Sequence, residues 1–212
     1  MSKRYWILVT AIALAAAVAG MYLARSLDQP ALVQLESGTA LPVPGALTPF
    51  DLVDTRGAPI APAQLQGHPT LVFFGFTYCP DVCPTTLALL AGVQKQLAAE
   101  KNGLANLKVA LITVDPERDT PEQMGRYISS FGDDLIGLTG SAPEIVNAQK
   151  SFGVAAARVE LAGGGYTMDH SATVFLLDSQ ARKVAVFTPP LRPAALARDL
   201  QKLAPALGGA AS

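Results

Sequence analysis

The sequence predicts an α/β domain of three layers, a sheet between two sets of helices. A β-hairpin precedes it, and one transmembrane helix stands at the N-terminus. Three observations carry this. Residues 70–76 and 107–114 are continuous apolar runs, the pattern of parallel strands buried on both faces. Residues 85–99 between them are patterned as a helix, which makes a right-handed βαβ unit. Residues 5–24 are uncharged and almost wholly apolar, about the twenty residues a bilayer-spanning helix needs.

The only two cysteines, Cys79 and Cys83, lie in the turn between the first strand and its helix. A strand running into a helix through a cysteine pair is the active turn of a thioredoxin-like α/β/α sandwich. Here three residues separate the sulfurs, where the redox motif has two. With Pro84 in the first helical turn, Cys79 falls at or just before the helix start, and residues four apart share a helix face. The helix N-terminus lowers thiol pKa, so two convergent thiolates are expected. Soft sulfur donors select Cu(I), zinc or iron–sulfur clusters. A cluster normally needs four thiolates and structural zinc four ligands, so copper leads. A structural Cys79–Cys83 disulfide closes too small a loop to stabilise much. A pair of inert buried cysteines fits poorly with the prolines and Asp81 around them.

Taken in order, the chain starts with Lys3 and Arg4, which favour a cytoplasmic N-terminus over residues 1–4. Trp6 and Tyr22 suit the two interfaces of an anchor over 5–24. The alternative is a cleaved signal peptide, with Ala17-Val18-Ala19 as its small-residue site. The apolar run is long for that, so the anchor is preferred. Either way the domain is exported. The expected location is a bacterial inner membrane, single-pass, with the domain in the periplasm. An oxidising compartment drives Cys79 and Cys83 towards a disulfide unless they are reduced or metallated. The net charge of −1 implies no nucleic-acid partner.

Residues 25–46 hold prolines 30, 42 and 44 without periodicity and read as a linker. The domain is expected over 47–204. Residues 50–60 give a hairpin signal. Thr120, Pro121 and Gln123 form a helix start after a loop at the cysteine end of the sheet, where Asp115, Glu117 and Arg118 serve either loop structure or contact with a partner. Residues 135–138 read as a short strand and 142–152 as a helix begun by Ser141. Residues 154–161 are partly strand-like, and Gly163-Gly164-Gly165 is a turn without the Lys-Ser/Thr of a phosphate loop. Residues 172–178 and 184–187 form a hairpin, 192–203 the closing helix, and 205–212 a frayed tail.

His170, in Asp169-His170-Ser171, precedes the strand at 172–178. In a thioredoxin-like sheet the loop there approaches the cysteine turn. A neutral imidazole would complete a set of two sulfurs and one nitrogen, which holds Cu(I) in trigonal form. Asp169 would orient that ring, and Asp81 would add charge just outside the sulfurs.

Three stretches together resemble the Sco/SenC family: Thr77-Tyr78-Cys79-Pro80-Asp81-Val82-Cys83-Pro84-Thr85-Thr86-Leu87, Thr113-Val114-Asp115-Pro116-Glu117-Arg118-Asp119-Thr120-Pro121, and Asp169-His170-Ser171. The likeness runs in order over about residues 47–203. It implies a membrane-anchored, thioredoxin-like copper protein with Cys79, Cys83 and His170 as ligands for Cu(I), Cu(II) or both. It also implies a metallochaperone role rather than an enzymatic one: delivering copper to, or preparing the thiols of, the dinuclear copper site in cytochrome c oxidase subunit II. Other periplasmic copper chaperones or thiol reductants are further expected partners. The competing readings are a membrane-anchored thiol–disulfide oxidoreductase, which needs the cysteines but tolerates His170→Ala, and a thiol peroxidase. The latter usually needs an arginine at the thiolate, and none adjoins the cysteines in sequence.

Overall fold

The computed structural model describes residues 3–27, 33–100, 104–132 and 134–208. It divides into two units, residues 1–32 and 33–212. The first holds a single helix, α1 (Lys3–Leu27). The expected transmembrane anchor over 5–24 finds no support here: among the described residues, no helix is long and apolar enough to cross a membrane.

The second unit is built on an eight-stranded sheet. Its strands are β1 (Gly38–Gly45), β2 (Leu52–Asp54), β3 (Pro59–Ile60), β4 (Thr70–Gly75), β5 (Lys108–Thr113), β6 (Leu135–Thr139), β9 (Val174–Leu177) and β10 (Lys183–Phe187). A separate hairpin, β7 (Ala156–Glu160) with β8 (Tyr166–His170), pairs with none of them. The sheet order is β1-β10-β9-β4-β5-β6-β2-β3. β4, β5 and β6 are parallel, and β9 runs antiparallel to β4. The apolar runs fold as expected: every residue of β4 is buried, as is β5 beyond Lys108.

The helices are α2 (Val82–Ala99), α3 (Pro121–Ile128), α4 (Ala142–Phe152) and α5 (Pro193–Leu203). In register, Phe73 sits beside Leu111 and Leu111 beside Gly137, so these three share a face with Gly75. A Cβ on Gly75 would meet Cys83 of α2 at 2.9 Å, and one on Gly137 would meet Ile128 of α3 at 3.1 Å. That face is therefore covered by α2 and α3, with α5 packed against α2. On the opposite face, Phe74 meets Phe152 of α4 edge-on with ring centroids 5.3 Å apart, and Phe175 and Phe50 close the aromatic cluster. The result is the three-layer α/β/α arrangement. Thr120 caps α3 as expected, its hydroxyl accepting from the Gln123 amide at 3.3 Å.

Two other expectations change. Residues 38–45, placed in the linker, form β1, antiparallel to β10. Prolines 42 and 44 hide it, but proline is tolerated on an edge strand, and this one shifts register between Ala40 and Gly45. Gly38 is required there, because a Cβ would lie 2.4 Å from the Phe187 ring. The tail is also shorter than expected. A 3-10 turn spans Ala204–Ala206, Leu207 is buried, and its carbonyl accepts from the Ser179 amide at 2.9 Å. The rest of that tail, 209–212, and positions 1 and 2 of the expected cytoplasmic segment lie outside the described residues.

Candidate metal centre

β4 delivers the chain to the cysteine turn, and Asp119 holds that turn in place. Its carboxylate accepts from the Thr77 amide at 3.0 Å, the Thr77 hydroxyl at 2.6 Å and the Thr113 hydroxyl at 2.6 Å. Gln123 adds a bond to the Thr77 hydroxyl at 3.1 Å. Asp119 is wholly buried, and burial pushes its carboxyl up, against the hydrogen bonds from Thr113 and Thr77.

The helix begins at Val82, three residues before its expected start, with Asp81 as N-cap. Cys83 is thus in the first turn and Cys79 lies ahead of the helix, so the two do not share a helix face. They meet because the Cys83 amide donates to Cys79 Sγ at 3.4 Å. Both are free thiols, Cys79 partly exposed and Cys83 fully buried. The expected lowering of thiol pKa by the helix start does not hold for Cys83. Burial pushes its thiol well up, and the neighbouring Cys79 adds to that.

His170 closes β8 and comes back over the turn. Its Nε2 lies 3.7 Å from Cys83 Sγ. Phe73 and Phe76 flank the ring edge-on, with centroids 6.1 and 5.9 Å away. Its Nδ1 contacts the Ser171 carbonyl at 3.1 Å. A carbonyl only accepts, so Nδ1 carries the proton and the Nε2 lone pair faces the sulfur. Ser171 thus performs the orienting role expected of Asp169, whose side chain is exposed. Asp81 is also exposed and takes a bond from Thr85 at 3.4 Å rather than one from a cysteine.

Among the described residues, no group of three or more His, Cys, Asp and Glu side chains already forms a metal cage. The residues nevertheless fit a soft ion. Donors bound to one ion at about 2.3 Å (sulfur) and 2.0 Å (nitrogen), 120° apart, stand about 3.7 Å from each other. That is the Cys83–His170 separation found here.

Three residues outside the expected set shape the site. In the sequence Asp119 stands out no more than its neighbours. Tyr127 of α3 has a buried hydroxyl without a hydrogen-bond partner. Burial pushes its phenol up, and the charges of Cys83, Cys79 and Asp119 reinforce this. Arg118, remote in sequence, stands over the Tyr78 ring at 4.8 Å and the Phe76 ring at 5.9 Å. The fold thus brings an arginine to the aromatic rings that flank the cysteine turn. Asp115, Glu117 and Arg118, equally assignable to loop structure or to a partner, bond to each other's surroundings. Arg118 pairs with Asp115, and Glu117 with Arg158 at 3.1 Å.

Comparison with known proteins adds four similarities. The SCO1/SenC family model matches residues 42–205. The bovine (Bos taurus) protein named "Protein SCO2 homolog, mitochondrial" is 42% identical over 60% of this chain and 48% of its own length. A "Putative copper-binding protein" of Stutzerimonas stutzeri is 33% identical over 84% of this chain and 86% of its own. The structure of Bradyrhizobium japonicum ScoI with copper bound superposes with a TM-score of 0.66, at 41% identity, over 74% of this chain and 99% of that one. The chain spans about half the length of the bovine relative.

Proposed function

This chain belongs to the SCO1/SenC family, and we propose that it binds copper through Cys79, Cys83 and His170 and serves in cytochrome c oxidase assembly. The finer reading is that it delivers copper to, or prepares the thiols of, the dinuclear copper site of subunit II. The observation that carries it is the His170 Nε2 lone pair aimed at Cys83 Sγ from 3.7 Å. Two thiolates and one imidazole are a donor set for copper, which is the cargo of the protein. Loading requires Cys83 to lose its proton. Because burial holds that proton on, copper uptake releases it and strengthens with rising pH. An oxidised Cys79–Cys83 pair offers no thiolate and has to be reduced first.

The runner-up reading is thiol–disulfide exchange, favoured by the partly exposed Cys79 above a buried Cys83. There the Cys79 thiolate attacks a substrate disulfide, one substrate sulfur leaves as thiolate, and Cys83 then displaces the other to form the Cys79–Cys83 disulfide. His170→Ala separates the two. It should weaken copper retention against a chelator by at least ~10–100-fold, the loss seen for changes just outside metal ligands. Disulfide reduction should persist. A variant that keeps its copper affinity and loses disulfide reduction makes exchange the function. The proposal also places the domain in the periplasm, on the strength of Lys3-Arg4 followed by an apolar run. A C-terminal alkaline phosphatase fusion that stays inactive in cells contradicts that.

A further inference from the structure

The hairpin that carries His170 hydrogen-bonds to no strand of the main sheet. Something else must hold it over the cysteines. Tyr166, Met168 and His170 alternate along β8 and so share one face of the hairpin. Met168 packs on the core, and His170 reaches Cys83. Tyr166 is fastened through its hydroxyl, its carbonyl and its ring. Its hydroxyl lies 2.9 Å from Asp115 Oδ1, to which it donates. Its carbonyl accepts from Arg118 Nη1 at 3.0 Å. Its ring lies against two guanidinium groups, Arg118 at 3.7 Å and Arg158 at 3.6 Å. Arg158 sits opposite Met168, diagonally across the hairpin from Tyr166. Arg118 also stands over Tyr78 and Phe76, which flank the cysteine turn. One planar cation therefore touches both pieces of chain that supply ligands.

We propose that Arg118 and Tyr166 form a latch that sets the distance of His170 from the two sulfurs. They act as positioning residues, touching neither copper nor the sulfurs themselves. The latch rests on the reading of His170 as a ligand for its effect on copper, but its mechanical part does not. Tyr166→Leu removes the ring, the hydroxyl and both cation contacts. Arg118→Lys is the second variant: it keeps the charge opposite buried Asp115 while losing the planar stack and the fork of donors.

Two measurements on the full chain test it. In the metal-free, reduced protein, amide hydrogen exchange over residues 156–170 should rise about tenfold or more in either variant, with β4 and β5 unchanged. In chelator competition, Tyr166→Leu should weaken copper binding by about 10-fold where His170 is present and by less than about 2-fold in a His170→Ala background, the signature of coupled residues. Unchanged hairpin exchange in both variants overturns the latch. So does equal weakening with and without His170. If His170→Ala alone leaves copper affinity intact, the ligand assignment fails, and the exchange measurement still decides the latch.

Discussion

Gly75 governs where a sulfur can stand. It ends β4 on the face covered by α2, and a Cβ there would lie 2.9 Å from Cys83 Sγ, 3.1 Å from Phe73 and 3.2 Å from Leu111. Neither ring nor leucine can yield far in a packed interior, so the sulfur must move. Gly75→Ala should cost about 1–3 kcal/mol of stability by overpacking. It should also weaken copper binding, since Cys83 would leave its place beside His170. Denaturant unfolding and chelator competition measure the two effects. Unchanged copper affinity in a folded Gly75→Ala protein would show that the Cys83 position is not critical. The contribution of this residue was invisible in sequence, where a glycine before a cysteine turn looks like part of the turn. Cys79, Cys83 and His170 were legible because their types and spacing carry chemistry. Asp119 and Tyr127 were not, because each acts across the fold on residues about forty positions away, and Arg118 was legible only as a loop residue at the cysteine end of the sheet.

At the scale of elements, the central strands and helices could be read directly. β4 and β5 are buried on both faces, so their apolar runs are unbroken. Pro121, Pro143 and Pro193 each sit in the first turn of a helix. β1 was missed because its partners lie at the other end of the chain. Buried Asp199 accepts from the Glu36 and Ser37 amides at 2.7 and 2.8 Å, and Arg198 pairs with Glu36 at 2.7 Å. The hydrogen bond from Arg198, helped by Lys202, pulls the Glu36 carboxyl down to about 2. A depressed carboxylate stabilises the fold fully above its unfolded value, and that contribution fades as pH falls through the folded value. The strap of β1 onto α5 should therefore loosen between pH about 4.5 and about 2. Glu36→Gln should abolish that part of the pH dependence. Unfolding midpoints of wild type and Glu36→Gln, compared across this range, should converge as pH approaches about 2. Midpoints that keep a constant separation would contradict the role of Glu36.

For the molecule as a whole, parallel pairing is what assembles the centre. β4 and β5 run side by side, so the cysteine turn and the Asp115–Asp119 loop emerge at the same sheet end. The β7–β8 hairpin then folds back over both with His170 at its base. Three short stretches, far apart in the chain, meet around one cluster of two sulfurs and a nitrogen. The central claim is that this cluster is a copper site. The most direct test is anaerobic copper titration of the reduced full chain beside its Cys79→Ser and Cys83→Ser variants. Wild type should bind one copper per chain, and each variant should lose tight binding because a single thiolate leaves too few soft donors. Unchanged stoichiometry and affinity in both variants would contradict the account.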